Sequence, residues 1–209
     1  MKNYFIVVEG VDGAGKSAIS LAVAMRLGAI HLESPIGGFK DIRKHVDEEL
    51  CDKGRFLFYL ASNFALSNAI RKHKKTESNP IVCARYFYST IIGYASRNNI
   101  NIDHLQEKIP VSMDDLDRPD LTIFLHVDKE NQKKRIESRS PTLNSSLDYK
   151  SLNDEIYQVR LFDNYSTICK NEGWVRIDTS TMNEETVVEA CIEEINRFHL
   201  RTTRAEVFL

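Results

Sequence analysis

The sequence lacks the features that mark extracellular, membrane-spanning and fibrous proteins. Only 9 of its 209 residues are glycine and 5 are proline, which excludes collagen-like and low-complexity chains. The four cysteines are scattered, with no C-x-x-C pair and no histidine at zinc-ligand spacing, so we expect free thiols in a reducing compartment. Apolar runs are short, as at 5–8, whereas a spanning helix needs about 18 residues. No secretory signal follows Met1, and we therefore expect a cytoplasmic protein that does not cross a membrane.

An excess of charge of one sign is also missing. Lys and Arg number 28 against 30 Asp and Glu, which leaves a formal net charge of −2. No overall field would therefore attract nucleic acid or an anionic membrane, and we expect no nucleic-acid partner. Any polyanionic ligand has to be bound by a local site. With 42% hydrophobic residues, the chain can bury a core, and its length predicts one domain over residues 1–209.

Strand-length apolar runs alternate with helical periodicity along the chain. The predicted strands are 4–9, 29–33, 80–83, 121–127 and 174–177. The predicted helices are 17–27, 39–51, 55–74, 88–98, 129–138, 151–171 and 183–200, with Ile156 and Val159 among the apolar positions of the sixth. An irregular segment is expected up to residue 119, and a polar loop over 139–148 could be a mobile lid. This alternation predicts an α/β fold with a mostly parallel sheet between helices.

A glycine-rich turn joins the first predicted strand to the first predicted helix. Residues 10–17, GVDGAGKS, satisfy the pattern G-x-x-x-x-G-K-[ST]. Glycines let backbone N–H groups turn toward phosphate oxygens, and the helix N-terminus adds positive potential. We expect Lys16 to reach the β and γ phosphates and the Ser17 hydroxyl to coordinate Mg²⁺. The predicted nucleotide cradle consists of Gly10, Gly13, Ala14, Gly15, Lys16, Ser17 and Ala18.

The cradle by itself does not decide the class of nucleotide-binding protein. Kinases, GTPase-type switches and motor-like ATPases all share this loop. The choice among them depends on the rest of the chain.

Four segments together resemble the thymidylate kinase family. They are EGVDGAGKS at 9–17, VCARYFYS at 82–89, RPDLTIFLHVD at 118–128 and WVRID at 174–178, and they occur in the family's order over nearly the whole chain. The resemblance implies a three-layer P-loop NTPase fold with a five-stranded parallel sheet, flanking helices and a short lid at about 139–150. It also implies ATP as phosphate donor, Mg²⁺, and a nucleoside monophosphate as acceptor, which is dTMP by family default.

The resemblance assigns roles to particular residues. Asp12 matches the family carboxylate beside the acceptor sugar and the transferred phosphate, and Arg85 matches the arginine that grips the acceptor phosphate. Arg135 and Arg139 match the lid arginines that stabilise developing charge, although a solvated helix face would also explain them. The other predicted acceptor contacts are Phe39, Asn63, Tyr86 and Tyr88, for which core packing is an alternative in the case of the aromatic residues.

The sequence departs from the family pattern at the metal site. The family aspartate that precedes the phosphate-gripping arginine, and holds Mg²⁺ through water, is Ala84 here. Glu9 or Asp12 could supply the missing carboxylate, because both lie near Ser17 in the sequence, and the predicted metal ligands are Ser17 and Glu9.

Two further departures concern the acceptor site. Asn63 stands where the family has a base-reading arginine, and the segment ESPIGG at 33–38 lacks the family's arginine. Lys40 or Arg43 could replace that phosphate contact. The departures leave two alternatives to thymidylate phosphorylation: a kinase of another small molecule, and a nucleotide-binding protein with little turnover.

The resemblance also implies a homodimer. The helices around 56–66 and after Tyr88 could supply the apolar interface. Packing against the sheet explains their apolar character equally well.

Overall fold

The most apolar segment of the chain forms the central strand of a parallel sheet. The computed structural model describes residues 3–138 and 152–207. Its strands are β1 (Phe5–Gly10), β2 (Ile30–Glu33), β3 (Ile81–Ala84), β4 (Leu121–His126) and β5 (Val175–Asp178), in the spatial order β2-β3-β1-β4-β5. All four neighbouring pairs are parallel, and every residue of β1 is buried. The five predicted strands are confirmed, and a strand covered on both faces explains why β1 is apolar without alternation.

Helices cover both faces of the sheet. They are α1 (Lys16–Leu27), α2 (Gly38–Glu49), α3 (Asp52–Thr76), α4 (Phe87–Asn98), α5 (Ile102–Lys108), α6 (Lys129–Glu137), α7 (Glu155–Asn171) and α8 (Glu184–Val207). Helices α1 and α8 pack against each other, as do α3 with α4 and α4 with α7. No helix in the described part of the chain is both long enough and apolar enough to cross a membrane.

The segment before residue 119 is more regular than the sequence predicts. It contains the short helix α5 and a 3₁₀ turn at Met113–Asp115. The Asn101 side chain caps α5 by accepting a hydrogen bond from the His104 N–H, and Ile102 and Leu105 are buried. A helix of seven residues completes fewer than two turns, which is too short for a clear apolar period.

The chain crosses from one side of β1 to the other between β3 and β4. Ligands of open α/β sheets bind outside the carboxyl ends of the strands at such a switch point. The glycine-rich turn follows β1 at this edge of the sheet, and the segment 85–86 follows β3 beside it. The topology therefore brings the predicted cradle and Arg85 to the same edge.

Two glycines at this edge have opposite structural roles. Gly10, at the end of β1, has φ 153°, and a Cβ atom there would lie 2.5 Å from the Leu125 carbonyl oxygen. Gly93 lies inside α4, and a Cβ atom there would meet nothing within 4 Å. The backbone requires glycine at the first position and not at the second.

This contrast predicts stability changes of opposite sign for alanine at the two positions. Gly93→Ala should raise the free energy of unfolding by about 0.5–1 kcal/mol, because glycine costs conformational entropy in a helix. Gly10→Ala should lower it by about 1–3 kcal/mol through strain and steric conflict. Urea denaturation measures both changes, and shifts in the same direction would contradict this account.

Candidate active site

The turn after β1 leaves the N-terminus of α1 open for an anion. Gly13 and Gly15 have φ angles of 85° and 90°, and Gly15 is the N-cap of α1. No side chain caps this end, and its first turn carries no acidic residue. The N–H groups at the start of the helix and the helix dipole together favour phosphate here.

Helix α6 packs against the glycine-rich turn that follows β1. A Cβ atom on Gly13 would lie 3.1 Å from both Cγ and the carbonyl oxygen of Gln132. The Gln132 side-chain amide donates a hydrogen bond to the Asp12 carbonyl oxygen at 2.9 Å. Gln132 is only 1% exposed. A glutamine in a polar helix gave no sign of this role in the sequence.

The Lys16 side chain contacts the glycine-rich turn that precedes it. Its ammonium group donates a hydrogen bond to the Val11 carbonyl at 2.6 Å and lies 3.6 Å from a carboxylate oxygen of Asp12. The side chain is 4% exposed, which keeps the charge close to the open N-terminus of α1. The adjacent Ser17 is exposed on the first turn of that helix.

Arg85 joins the end of β3 to the turn after β1. Its guanidinium donates a hydrogen bond to the Asp12 carboxylate at 2.7 Å, and its main-chain N–H donates to the Val8 carbonyl at 3.0 Å. Its φ is 65°, in the left-handed region that non-glycine residues seldom adopt. Such strained residues are concentrated at functional sites. The structure thus brings together Asp12, Lys16 and Arg85, as the sequence predicts.

Glu9 faces the start of α4. Its carboxylate accepts hydrogen bonds from the Tyr86 N–H at 3.0 Å and from the Ser89 hydroxyl. It is 1% exposed, and burial raises its pKa above the ordinary value in spite of these hydrogen bonds and the nearby Lys16 and Arg85. Of the two carboxylates predicted as replacements for the family aspartate, it is Asp12 that lines the open cavity, with 35% of its side chain exposed.

A cavity that is open to solvent lies beside Asp12, and its empty volume is about 1020 Å³ when the space at its open mouth is included. Its walls come from the ends of β1 and β3, the α2–α3 junction, α4 and α7. Charged and aromatic side chains dominate the lining: Arg43, Arg55, Arg85, Arg97, Asp12, Asp47, Asp52, Phe56, Tyr59, Tyr94, Tyr157 and Tyr165. Aromatic faces and guanidinium groups together suit a flat, anionic ligand.

The cationic groups of the cavity are held in different ways. Arg43 donates to Asp47 at 3.3 Å, and Tyr59 donates to the same carboxylate at 2.9 Å. Burial raises the pKa of Tyr59 to about 12, so its hydroxyl stays protonated at neutral pH. Arg55 donates to the Asp47 main-chain carbonyl and to Asp52, and so ties the end of α2 to the start of α3.

Arg97 lies at the far end of the same wall. Its guanidinium lies 5.2 Å from the ring centroid of Tyr157 and 4.0 Å from Asp52. The guanidinium is also hydrogen-bonded to the Tyr157 side chain, so this hydrogen bond and the cation–π contact together hold Arg97 at the cavity wall.

The structure does not bring the three predicted aromatic residues to the cavity. Phe39 packs against Phe58 with ring centroids 5.4 Å apart. Tyr86 is 2% exposed and meets Phe5 edge to face, and Tyr88 packs against Trp174. Phe39, Tyr86 and Tyr88 therefore lie outside the cavity lining, and their contact with an acceptor stays a prediction.

Other faces of the helices supply the aromatic walls. On α4 the cavity-lining residues are spaced at helical intervals: Ser89, Thr90, Gly93, Tyr94 and Arg97. The Tyr94 ring stacks on Phe56 of α3 at 4.2 Å between centroids and an angle of 19°. This spacing after Arg85 is the signal that could have identified them from the sequence.

The structure also separates the other predicted residues from the cavity wall. Asn63 is fully buried one layer behind the wall, between Ser34 and Thr90. Arg135 donates to the Thr179 hydroxyl at 3.0 Å and to the Thr179 carbonyl, so it ties α6 to the segment after β5. Arg139 and the predicted lid lie outside the described residues.

The residues of the cradle fit Mg²⁺ without forming a cage for it. Within residues 3–138 and 152–207, no three His, Cys, Asp or Glu side chains come together as a metal site. Mg²⁺ keeps several waters and usually takes one or two protein oxygens beside substrate phosphates. The Ser17 hydroxyl and the Asp12 carboxylate are hard oxygen donors of the required kind.

Comparison with known proteins agrees with this geometry. The sequence model of thymidylate kinase matches residues 8–190. The chain belongs to the thymidylate kinase family. The nucleoside monophosphate kinases that make up this family have the P-loop NTPase fold, so the fold and family predicted from the sequence are confirmed.

Individual relatives match almost the full chain. A protein of Methanococcus maripaludis (strain C6) named "Probable thymidylate kinase" is 27% identical over 195 residues, which cover 92% of this chain and 95% of that protein. Thymidylate kinase of Coprothermobacter proteolyticus is 26% identical over 208 residues, which cover 91% and 98%. The fold is similar to that of thymidylate kinase from Candida albicans, with a TM-score of 0.71 at 20% identity over 95% of this chain and 94% of the other.

The raised pKa of Glu9 predicts how pH affects stability. Between the ordinary pKa of 4.5 and the raised pKa of the folded state, the folded chain holds a proton at Glu9 that the unfolded chain releases. The contribution of Glu9 to stability therefore falls as the pH rises from below 4.5 through the folded-state pKa. Glu9→Gln lacks this dependence, so the variant should gain stability relative to wild type between pH 4 and 8. Urea denaturation across this range measures the difference, and a difference that is constant or falls with pH would contradict the assignment.

Proposed function

We propose that this protein transfers the γ-phosphate of ATP to thymidylate. The observation that carries the proposal is the contact between Asp12 and Arg85. It joins the nucleotide cradle to a cavity lined by aromatic and cationic side chains. A donor held on one side of this contact and an acceptor held on the other would bring their phosphates together over the ends of β1 and β3.

The cradle residues act on the donor. The N–H groups at the start of α1 hold phosphate oxygens, and the Lys16 ammonium exchanges its contact with the Val11 carbonyl for the β and γ phosphates. The Ser17 hydroxyl would hold Mg²⁺, with Asp12 nearby, and the bound metal would neutralise phosphate charge. Catalysis is then positioning and charge stabilisation, without a covalent enzyme intermediate.

The cavity residues act on the acceptor. Arg85 presents a planar guanidinium to the acceptor phosphate, which it can hold at two oxygens. Arg43 lines the cavity, which supports Arg43 rather than Lys40 as the replacement for the family's loop arginine. Lys40 instead pairs with Glu33 at 3.2 Å, with 65% of its side chain exposed. The Phe56 and Tyr59 rings offer apolar surface for the base.

Steady-state kinetics with a coupled ADP-release assay tests the proposal. Arg85→Ala should raise the KM for thymidylate about 10–100-fold, because a charge-assisted phosphate contact is lost. Lys16→Ala should lower kcat by about 100-fold or more. Lys40→Ala is the matched control and should leave both constants within about twofold of wild type, since an exposed ion pair contributes little. Turnover that is unchanged by Lys16→Ala would contradict the proposed site.

The homodimer implied by the family resemblance belongs to the same proposal. The outer face of α3 carries a stripe of exposed small and apolar residues at 57, 61 and 64, and Leu57 and Phe64 are 56% and 37% exposed. An apolar stripe on a long helix suits a two-fold, self-complementary interface. We propose that two copies pack through this face of α3.

Light scattering after gel filtration tests this assembly. Wild type should have about twice the chain mass of 24.0 kDa. Phe64→Glu should give a monomer, because each copy would bury an unpaired charge in the interface. Met25→Glu, at a more exposed apolar position on α1, is the control and should stay dimeric. A monomeric wild type, or a dimeric Phe64→Glu variant, would contradict the proposed interface.

The proposed location is the cytoplasm. The cysteines of the described residues are all free, and Cys83, Cys169 and Cys191 are buried. Burial raises the pKa of the Cys83 thiol well above its ordinary value, so that this group stays protonated and inert. Free thiols of this kind suit a reducing compartment.

A further inference from the structure

A tight β-turn lies within the nucleotide cradle. The Ala14 N–H donates a hydrogen bond to the Val11 carbonyl at 3.2 Å, which closes a turn over residues 11–14. Its two central residues are Asp12 and Gly13. Gly13 has φ 85°, whereas φ of Asp12 is not positive. A positive φ at the second central residue alone is the mark of a type II turn.

The backbone alone does not select this turn type. Type I and type II turns differ by rotation of the central peptide, which moves φ of the second central residue between about +80° and about −90°. Most residues resist the positive angle, but glycine adopts either sign with little strain. Gly13 therefore leaves both orientations of the Asp12–Gly13 peptide open.

Gln132, on α6, selects one of the two orientations. Its side-chain amide donates to the Asp12 carbonyl at 2.9 Å, from a position 120 residues away in the chain. The side chain is almost fully buried. Rotation of the peptide would turn the Asp12 carbonyl away from α6 and leave a buried N–H group of Gln132 without its acceptor. Such a loss is unfavourable, so this hydrogen bond stabilises the type II turn.

The orientation of the central peptide determines what the turn presents to an anion. A trans peptide directs its C=O and its N–H in opposite directions. Because the Asp12 carbonyl points at α6, the Gly13 N–H points away from that helix. After rotation, the carbonyl oxygen would take the place of the N–H group, and its partial negative charge would repel a phosphate.

We propose that Gln132 is a positioning residue for the donor nucleotide, which holds the Asp12–Gly13 peptide so that the Gly13 N–H faces the donor phosphates. The proposal rests on the proposed function, because it takes the phosphates to lie in the cradle. Under that function, Lys16 and Arg85 exchange their contacts with the turn for phosphate oxygens. Gln132 is too deeply buried to meet the ligand, so its contact with the turn persists when the nucleotide is bound.

The Gln132 side chain offers a clean way to remove this contact. Its side-chain oxygen has no hydrogen-bond partner within residues 3–138 and 152–207, so the amide nitrogen supplies the contact that matters. Methionine has the same length and carries no donor. Gln132→Met therefore removes one hydrogen bond, fills the same space and should leave the fold intact.

Calorimetric titration of Gln132→Met with ADP in the presence of Mg²⁺ tests the proposal. Without the donor, the peptide samples both orientations, and the fraction of turns competent to bind falls. The dissociation constant for ADP should rise about 3–10-fold, which is the size expected from one lost hydrogen bond. The dissociation constant for thymidylate should stay within about twofold of wild type, because the lost contact orients the cradle and not the acceptor cavity. A merely structural role would weaken both ligands or neither.

Asn131→Ala is the matched control. Asn131 precedes Gln132 on α6, and its side-chain amide donates to the Asp128 carboxylate at 2.8 Å. The variant perturbs the first turn of the same helix without removing the contact with Asp12. Both dissociation constants should stay within about twofold of wild type.

Three outcomes decide the matter. An unchanged dissociation constant for ADP in Gln132→Met, or equal rises for ADP and thymidylate, would overturn the inference and leave the proposed function standing. If that variant does not fold, Gln132→Asn withdraws the donor by one methylene and should weaken ADP in the same way, so an unchanged value there would overturn the inference. If wild type binds neither ADP nor ATP with Mg²⁺, the proposed function fails and the inference fails with it.

Discussion

The hydrogen bond from Arg85 to Asp12 is the interaction on which the proposed site depends. Strands β1 and β3 are parallel and paired through Val8 and Ala84, so the chain leaves the sheet at the same edge in both cases. Asp12 follows the end of β1 and Arg85 follows the end of β3. The Arg85 guanidinium donates a hydrogen bond to the Asp12 carboxylate at 2.7 Å. The donor cradle lies on one side of this contact and the aromatic cavity on the other. Under the proposed function, this contact joins the two binding surfaces into one reaction centre.

Buried polar side chains hold this centre in place from behind. Glu9 fixes the start of α4, Gln132 fixes the Asp12 carbonyl, and Asn63 fixes two hydroxyls of the cavity wall. Each has almost no exposed surface. Burial of such groups is unfavourable unless they are hydrogen-bonded, and each of them has a main-chain or hydroxyl partner. The outer surface of the site is thus positioned by a polar layer rather than by the apolar core.

The parts of the site that follow from backbone topology could be predicted from the sequence. The strand, turn and helix around residues 10–17 depend on local glycine chemistry, and Arg85 depends only on its place at the end of a parallel strand. Both are where the motifs indicate. Family membership followed from the same segments.

The cavity walls could not be predicted in this way, because they depend on the rotation of helices. Phe39, Tyr86 and Tyr88 are close to the motifs in sequence, yet their side chains pack into other surfaces, while Tyr94 and Arg97 lie one and two turns further on. The same limit explains Ile156 and Val159, whose apolar spacing indicates a buried face of α7 but which are 64% and 60% exposed. The spacing of apolar residues identifies a helix, but it does not show which face of that helix packs against the rest of the protein.

A double-mutant cycle on Asp12 and Arg85 tests the central claim most directly. The measured quantity is kcat/KM for thymidylate at saturating ATP in wild type, Asp12→Ala, Arg85→Ala and the double variant. If the two residues act as one unit, the account predicts that the product of the two single-variant losses in kcat/KM exceeds the loss in the double variant by about tenfold. This factor is a coupling of about 1.4 kcal/mol. Losses that add to within about 0.5 kcal/mol would show that the two side chains act independently and would contradict the account.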